Sequence, residues 1–346
     1  MAIRGFLTRF RREGPVRNSE AGRSLPLTRV RLKEHSVIGR GDRIGNAAEG
    51  PQERSITDVG PMAKQRVETE ILTRAEAVPS PPDILSILQE KANEDHVDMS
   101  EIEVLLRQDP ALVAKLLRLV NSSFFALRYK VNNISHALVL VGYQTLRSLI
   151  FAAFADELYR QEMRGYGYAR RGLWRHCVRC AFTARMLALR GVVERAFAED
   201  LFVAGLLHDL GKILLWPTIR DRQGEFDRAL EAGAGDLLSG ERLVCGIDHA
   251  EAGALVARRW GLADNLIEAI SCHHVPEAAV DYPKQVAAVH LVNWVLGELR
   301  VGLLPGRAHH EHLAPSAVDR LALDPGAIED LKCWLAQTGE HAPVAD

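Results

Sequence analysis

The sequence predicts an all-α fold, a compact multi-helix array. Three observations lead there. From Pro79 onward, apolar residues recur at helical spacing through nearly all of the 346-residue chain. Runs that alternate apolar and polar residues in strand fashion are not evident. Several periodic segments also open on Asp, Ser or Pro, where helix caps belong. Hydrophobic residues make up 47% of the chain and charged residues 25%, so a sizeable core is affordable.

Residues 1–75 are rich in Arg, Gly, Ser, Pro and Glu without a sustained apolar period and are expected to be a disordered basic tail. The formal net charge of −2 conceals an asymmetry. Residues 1–44 hold eleven Lys/Arg against four Asp/Glu, or +7, which leaves −9 for the remainder. A mildly acidic body argues against direct nucleic acid binding across its surface. Within the tail, Ile3, Phe6, Leu7 and Phe10 share one helical face with arginines opposite. That pattern suits either weak contact with an anionic membrane surface or a solvated tail. Arg4, Arg9, Arg11 and Arg12 interrupt any signal-peptide core, and no run approaches the roughly 18 consecutive apolar residues of a membrane span. The five cysteines form an odd set without a framework spacing, which predicts reduced thiols and a cytoplasmic protein.

The helices follow in order. Pro81-Pro82 opens a helix carrying Ile84, Leu85, Ile87 and Leu88. Ser100 is the expected cap of the next, with Glu103 at the capping-box position. Asp109 caps a third, with Pro110 in its first turn and Leu112 to Val120 as a deeply apolar body. Asn121 and Ser122 end it in ordinary C-terminal capping chemistry. Ile134 to Leu158 forms a long helix weakened near Gly142. A Gly- and Arg-rich joint, Arg164-Gly165-Tyr166-Gly167, then separates the two halves. Further helices are expected over about 173–190, 198–215, 239–260, 263–273, 283–299 and 326–337. The last carries Ile328, Leu331, Trp334 and Leu335 and, with Leu321 and Leu323 before it, packs onto the body or a partner.

Gly205-Leu206-Leu207-His208-Asp209-Leu210-Gly211-Lys212 carries the chemistry. An imidazole and a carboxylate lie side by side in a run that otherwise reads as buried helix, and burying them requires partners for both. Neighbours on a helix point about 100° apart, so a metal bound by both lies beside a helix end, where Gly211 lets another element approach. His and carboxylate donors together suit Fe, Mn, Zn or Mg-type divalent ions, and Lys212 is expected to offset phosphate charge. His176, on an apolar helix, reads either as a ligand or as a satisfied core histidine. His249 follows Asp248 among small residues that allow close approach. His273-His274 fall at a helix C-terminus, where capping and ligation are both open. Cys177 and Cys180 form a CxxC pair with no second pair for zinc, and read as buried structural cysteines. Their neighbourhood to ligand histidines, together with Cys272, leaves thiol oxidation as a way to perturb the site. The cluster His309-His310-Glu311-His312 reads as a solvated loop with adventitious metal affinity.

The order His176, His208-Asp209, His249, His273-His274 resembles the HD superfamily of metal-dependent phosphohydrolases, whose main ligands are a His, an adjacent His-Asp and a later Asp; its HD-GYP branch adds further histidines. The position matching the later Asp is Asn293. An amide cannot supply a carboxylate's charge. The Gly-Tyr-Pro element of the HD-GYP branch is reduced to Tyr282-Pro283. Asp109-Pro110-Ala111-Leu112, Leu116 to Ser122, Ile134 to Gly142 with Leu146-Arg147, Gly205 to Lys212, and Trp260-Gly261-Leu262 through His273-His274 together resemble the HDOD family over about residues 75–300. That resemblance implies an HDOD domain over 76–300, with an N-terminal helical part (76–163), an HD-like part (164–300) and a helical extension over 301–346. It also implies a bacterial signal-transduction output module acting through protein partners, with a degenerate site that senses a metal or nucleotide. The alternative is a phosphohydrolase acting on a cyclic dinucleotide or nucleotide phosphate. In either case His176, His208, Asp209, His249 and His273 are the expected metal ligands, with Asp209 and Lys212 acting in catalysis if the protein is an enzyme.

Overall fold

Acidic and amide side chains set several of the observable helix starts. The computed structural model describes residues 61–337 apart from 77, 80, 92–97, 123–126, 128, 233–235 and 305–311. Among the described residues there are helices and isolated bridges but no strand. Asp109 Oδ1 accepts from Leu112 N at 2.9 Å to start a helix at Pro110, and Asn133 accepts from His136 N at 2.7 Å to start another at Ile134. Each such cap is worth about 1 kcal/mol. Ser100 is not the cap expected for its helix. Asp98, two residues earlier, accepts from Ser100 N at 2.8 Å, and Glu103 is drawn instead to Ser135 Oγ and Arg107.

The expectation of a disordered tail as far as residue 75 fails over 61–75, and residues 1–60 lie outside the described residues. Pro61–Glu76 (α1) is helical and buries Ile71 and Ala75. The next helices are Asp83–Lys91 (α2), Met99–Arg107 (α3), Pro110–Val120 (α4) and Ile134–Leu158 (α5). Gly142 breaks α5 with φ +72°, a conformation that glycine adopts without steric cost. Asn121 donates to Leu117 O and to Val131 O and accepts from Val131 N, tying the end of α4 to the chain before α5.

The joint at 164–167 is not an exposed hinge. Gly165, Tyr166 and Tyr168 are buried, and Tyr168 bridges both Met163 and Leu303. Gly172–Leu189 (α6) and Ala198–Leu207 (α7) then pack at close range, because a Cβ at Gly205 would lie 2.9 Å from the Ala181 nitrogen. The halves share one core. Arg147 on α5 pairs with Asp200 on α7 at 2.9 Å, and Arg185 and Thr145 both reach Glu199.

Two helices predicted as continuous are each broken in two. The stretch 198–215 divides into α7 and Gly211–Asp221 (α8), with His208-Asp209-Leu210 as the turn. The stretch 239–260 divides into Leu237–Cys245 (α10) and His249–Arg259 (α11), after Gln223–Ala232 (α9). Gly246, at φ +78°, ends α10, and Asp248 Oδ1 accepts from Glu251 N at 2.8 Å to begin α11. Asp264–Cys272 (α12), Pro283–Glu298 (α13), Pro315–Leu321 (α14) and Pro325–Gln337 (α15) complete the described chain. Leu321, Leu331 and Leu335 are buried against the body, and Arg179 donates to Leu335 O at 2.7 Å. Two stretches, Ile134–Leu158 and Arg195–Asp221, are long and apolar enough to cross a membrane, but the first is broken at Gly142 and the second is 83% buried inside the body. The amphipathic segment from Ile3 and most of the cluster around His309 lie outside the described residues.

Candidate metal centre

The turn between α7 and α8, the start of α11 and the ends of α12 converge on Asp209. His208, Asp209, His249 and His273 are all 0% exposed. Asp209 Oδ1 faces His249 Nε2 at 3.3 Å, without hydrogen-bond geometry, and His273 Nε2 at 3.9 Å. Its other oxygen, Oδ2, faces His208 Nε2 at 3.5 Å and His176 Nε2 at 3.9 Å. Asp209, His249, His273 and His274 each offer a donor atom within 4.8 Å of the others, as do His176, His208 and Asp209. Asp209 thus belongs to two adjoining groups, one per oxygen.

The hydrogen bonds around the histidines decide which ring nitrogen faces inward. His208 Nδ1 donates to Gly205 O at 2.8 Å, and His273 Nδ1 donates to Ile270 O at 2.8 Å. Each carbonyl lies three residues earlier in the last turn of a helix, where backbone acceptors lack intrahelical partners. The protons on Nδ1 leave lone pairs on Nε2. His208 Nε2, His273 Nε2 and Asp209 Oδ1 are fully buried and have no hydrogen-bond partner among the described residues. Buried acceptors without a donor cost about 1–3 kcal/mol each, and a divalent cation beside Asp209 is a group that relieves them, Oδ1 and His273 belonging to one ligand group and His208 to the other. The donor set therefore fits a metal.

His249 is held differently. Its backbone N–H and its Nδ1–H both donate to Glu241 Oε2, at 2.8 and 2.7 Å, the carboxylate–histidine pairing that orients metal ligands. His249 Nε2 lies 2.8 Å from His274 Nε2. Two lone pairs would repel there, so a proton or another cation has to lie between them. Burial keeps the imidazoles of His208, His273 and His274 neutral and lowers that of His176 to about 3. Burial disfavours charge on His249 as well, but the Glu241 carboxylate outweighs it and pushes the imidazole up to about 9. Burial also opposes the charge on Asp209, yet Lys212, His208 and His249 together outweigh it and hold that carboxyl well below the usual range.

Lys212 is not placed to meet phosphate from solvent. It is 5% exposed and turned inward, with Nζ 2.7 Å from Asp209 Oδ2 and 5.4 and 5.8 Å from the ring centres of Tyr168 and Tyr166. The reason is local. At three residues' separation across the start of α8, Lys212 is the nearest ammonium to a fully buried carboxylate. Asn293, on α13, does reach the centre, with Oδ1 2.8 Å from His176 Nε2. The close approach expected at Gly211 is also present, since a Cβ there would lie 2.0 Å from His249 O.

His274, Glu241, Tyr166 and Tyr168 were not singled out as site residues by sequence reasoning. The first stood beside His273 and carried the same signal. Glu241 was hidden by the assumption of one helix over 239–260, in which eight residues of helix would put it about 12 Å from His249 along the axis. Cys177 and Cys180 are both fully buried, as expected of structural cysteines, and burial raises the Cys177 thiol well above its usual value.

Comparison with known proteins agrees with this architecture. The HDOD domain family model matches residues 78–276. A solved HDOD domain protein of unknown function from Geobacter sulfurreducens is 25% identical, covers 80% of this chain and 94% of its own, and superposes with a TM-score of 0.61. A structure from Shewanella amazonensis, provisionally assigned as a phosphohydrolase, is 24% identical over 77% of this chain and 98% of its own, with a TM-score of 0.55, and bears on the fold alone. An uncharacterized protein of Treponema pallidum is 28% identical over 255 residues, 72% of this chain and 47% of that protein. The chain thus spans about half the length of that curated relative.

Proposed function

The chain belongs to the HDOD domain family, and from that premise we propose that it is a regulatory signal-transduction domain. On this reading a buried His/Asp centre holds a divalent cation, and the body acts through contact with a protein partner rather than by turning over a phosphodiester. The observation that carries this is closure. His208, Asp209, His249 and His273 are completely buried and His274 at the edge of the group is only partly exposed, so an ion among them offers little open face to a phosphodiester. A cation there cross-links the α7–α8 turn, the start of α11 and the end of α12, and makes the packing of these elements depend on metal. When bound, it would supply a fixed positive charge and a set of directional bonds. The chain's own residues supply the rest. Glu241 orients His249, Gly205 O and Ile270 O fix the tautomers of His208 and His273, and apolar core excludes water. Several imidazoles to one carboxylate favour Fe, Mn or Zn over Mg, which prefers an oxygen shell.

A metal-dependent phosphohydrolase acting on a cyclic dinucleotide or nucleotide phosphate is the second reading, favoured by the unpartnered Nε2 of His208 beside Asp209. The test is metal analysis of full-length protein purified without chelator, followed by a phosphodiester turnover assay with added Mn²⁺ or Fe²⁺. Stoichiometric metal without turnover supports the regulatory reading. Turnover that disappears in Asp209→Ala establishes the enzyme instead, and absence of any metal overturns both.

A further inference from the structure

The two oxygens of Asp209 have unlike surroundings. On the Oδ1 side the acceptors are unsatisfied. Oδ1 itself and His273 Nε2 are buried without hydrogen bonds, while His249 Nε2 and His274 Nε2 share one proton at 2.8 Å. On the Oδ2 side the protein has already placed a cation, and His208 Nε2, 3.5 Å from Oδ2, is a buried acceptor still without a partner among the described residues. Lys212 Nζ donates to Oδ2 at 2.7 Å, and the Tyr168 hydroxyl approaches it at 3.4 Å. His176 Nε2 is taken up by Asn293 Oδ1 at 2.8 Å.

We infer that this is a one-cation centre in which the Lys212 ammonium stands where a second divalent ion would stand. The inference rests on the proposed metal-binding reading and specifies how many ions the centre takes. Three features make the ammonium a built-in part of the centre rather than a side chain folded inward by chance. Lys212 is 5% exposed and forms a close ion pair with the shared carboxylate. The rings of Tyr166 and Tyr168 lie at 5.8 and 5.4 Å, at cation–π range on a desolvated charge. The third feature is charge. A second divalent ion beside a first needs more than one carboxylate, and the neutral amide of Asn293 occupies the place from which another carboxylate could reach His176. Asp209 and Glu241 are the buried carboxylates of the centre, and with one divalent ion and the Lys212 ammonium already facing them a further two positive charges would not be balanced. Moving Lys212 out to admit an ion would also break its pairing and leave the ammonium with no partner in the core.

The experiment counts ions. Full-length protein is titrated with Mn²⁺ and read by calorimetry, by elemental analysis after desalting, and by electron paramagnetic resonance. The expected result is one Mn²⁺ per chain with the signal of an isolated ion. Asn293→Asp alone is expected to stay at one ion, bound more tightly. Lys212→Met combined with Asn293→Asp is expected to take two, with an exchange-coupled signal. Wild-type protein that binds two coupled ions overturns the inference while leaving the metal-binding reading standing. Wild-type protein that binds none overturns that reading, and this inference with it. A folded double variant that remains at one ion also overturns the inference. Should the double variant fail to fold, the wild-type count and signal decide alone.

Discussion

Substituting Gly211 by alanine tests the contact on which the centre depends. An ideal Cβ at this position lies 2.0 Å from His249 O and 2.7 Å from Gly253 N, whereas ordinary contact begins near 3.4 Å. Relief requires the start of α8 and the start of α11 to separate by about 1.4 Å. The obstructing atoms are backbone, so no side chain can rotate away. Overpacking typically costs about 1–3 kcal/mol, and a clash with backbone places this one in the upper part, roughly 2–3 kcal/mol. For a body of this size that corresponds to a fall in Tm of roughly 4–12 °C. The same separation draws Asp209, two residues before Gly211, away from His249, and metal–ligand distances tolerate only about 0.2 Å. Mn²⁺ affinity should therefore fall at least about tenfold. Gly224→Ala in α9 is the control, because a Cβ there meets nothing within 4 Å. It should be neutral or stabilising by about 0.4–1 kcal/mol. Thermal and urea unfolding with a Mn²⁺ titration measure all of this. The reasoning is refuted if Gly211→Ala unfolds like the control and keeps wild-type affinity.

Three further outcomes follow from the same geometry. Asp209→Ala leaves the buried Lys212 ammonium without its counter-charge and should cost about 3–5 kcal/mol in urea unfolding; Asp209→Leu with Lys212→Met should recover most of that, and equal losses in the two proteins would contradict a tight buried pair. Glu241→Gln removes the charged acceptor that holds both His249 N–H groups and should weaken Mn²⁺ binding about 10–100-fold with little change in helical circular dichroism; unchanged affinity would remove Glu241 from the centre. Cys177 and Cys180 should resist iodoacetamide in the folded protein, since both are buried. At Cys245, burial pushes the thiol up to about 12. The thiolate is the reactive form and grows as pH rises toward that value, so Cys245 alkylation should be very slow at pH 8 and rise about tenfold per pH unit above it; mass spectrometry of labelled peptides reads both, and rapid labelling of Cys177 would show that the core opens.

Helices with polar start signals could be read from the sequence. Asp109-Pro110 marks the beginning of α4 because the cap and the proline act locally, and Ile134 to Leu158 is apolar along its length with one glycine to break it. The misreadings share a cause. Leu201 to Leu215 is apolar on both sides of His208-Asp209-Leu210, and a turn that is itself buried leaves no polar interruption for periodicity to register. The same holds around Gly246, where reading through the break concealed Glu241. Asn293 was found through the resemblance to the HD superfamily, as the position matching its later Asp, and it does reach His176. The inward turn of Lys212 was not legible, since it depends on where Asp209 Oδ2 comes to lie in the turn between α7 and α8.

The sequence left His273 open between capping a helix and ligating a metal, and the structure removes the opposition between those roles. His208 closes α7 and His273 closes α12 in the same way, each giving its Nδ1 proton to a carbonyl three residues back. A capping bond made through Nδ1 fixes the tautomer that leaves Nε2 unprotonated, so closing the helix is also what prepares the ligand. Since both helices end inside the core, neither Nε2 can turn to water for a partner. The unsatisfied nitrogens are then a cost of the fold itself, which only a cation placed between them offsets. A centre built this way links metal occupancy to how α7, α11 and α12 pack, without requiring that a substrate ever enter. On the proposed metal-binding reading, burial of the site and the amide at Asn293 are compatible with keeping the histidines, because the histidines would still have a cation to hold.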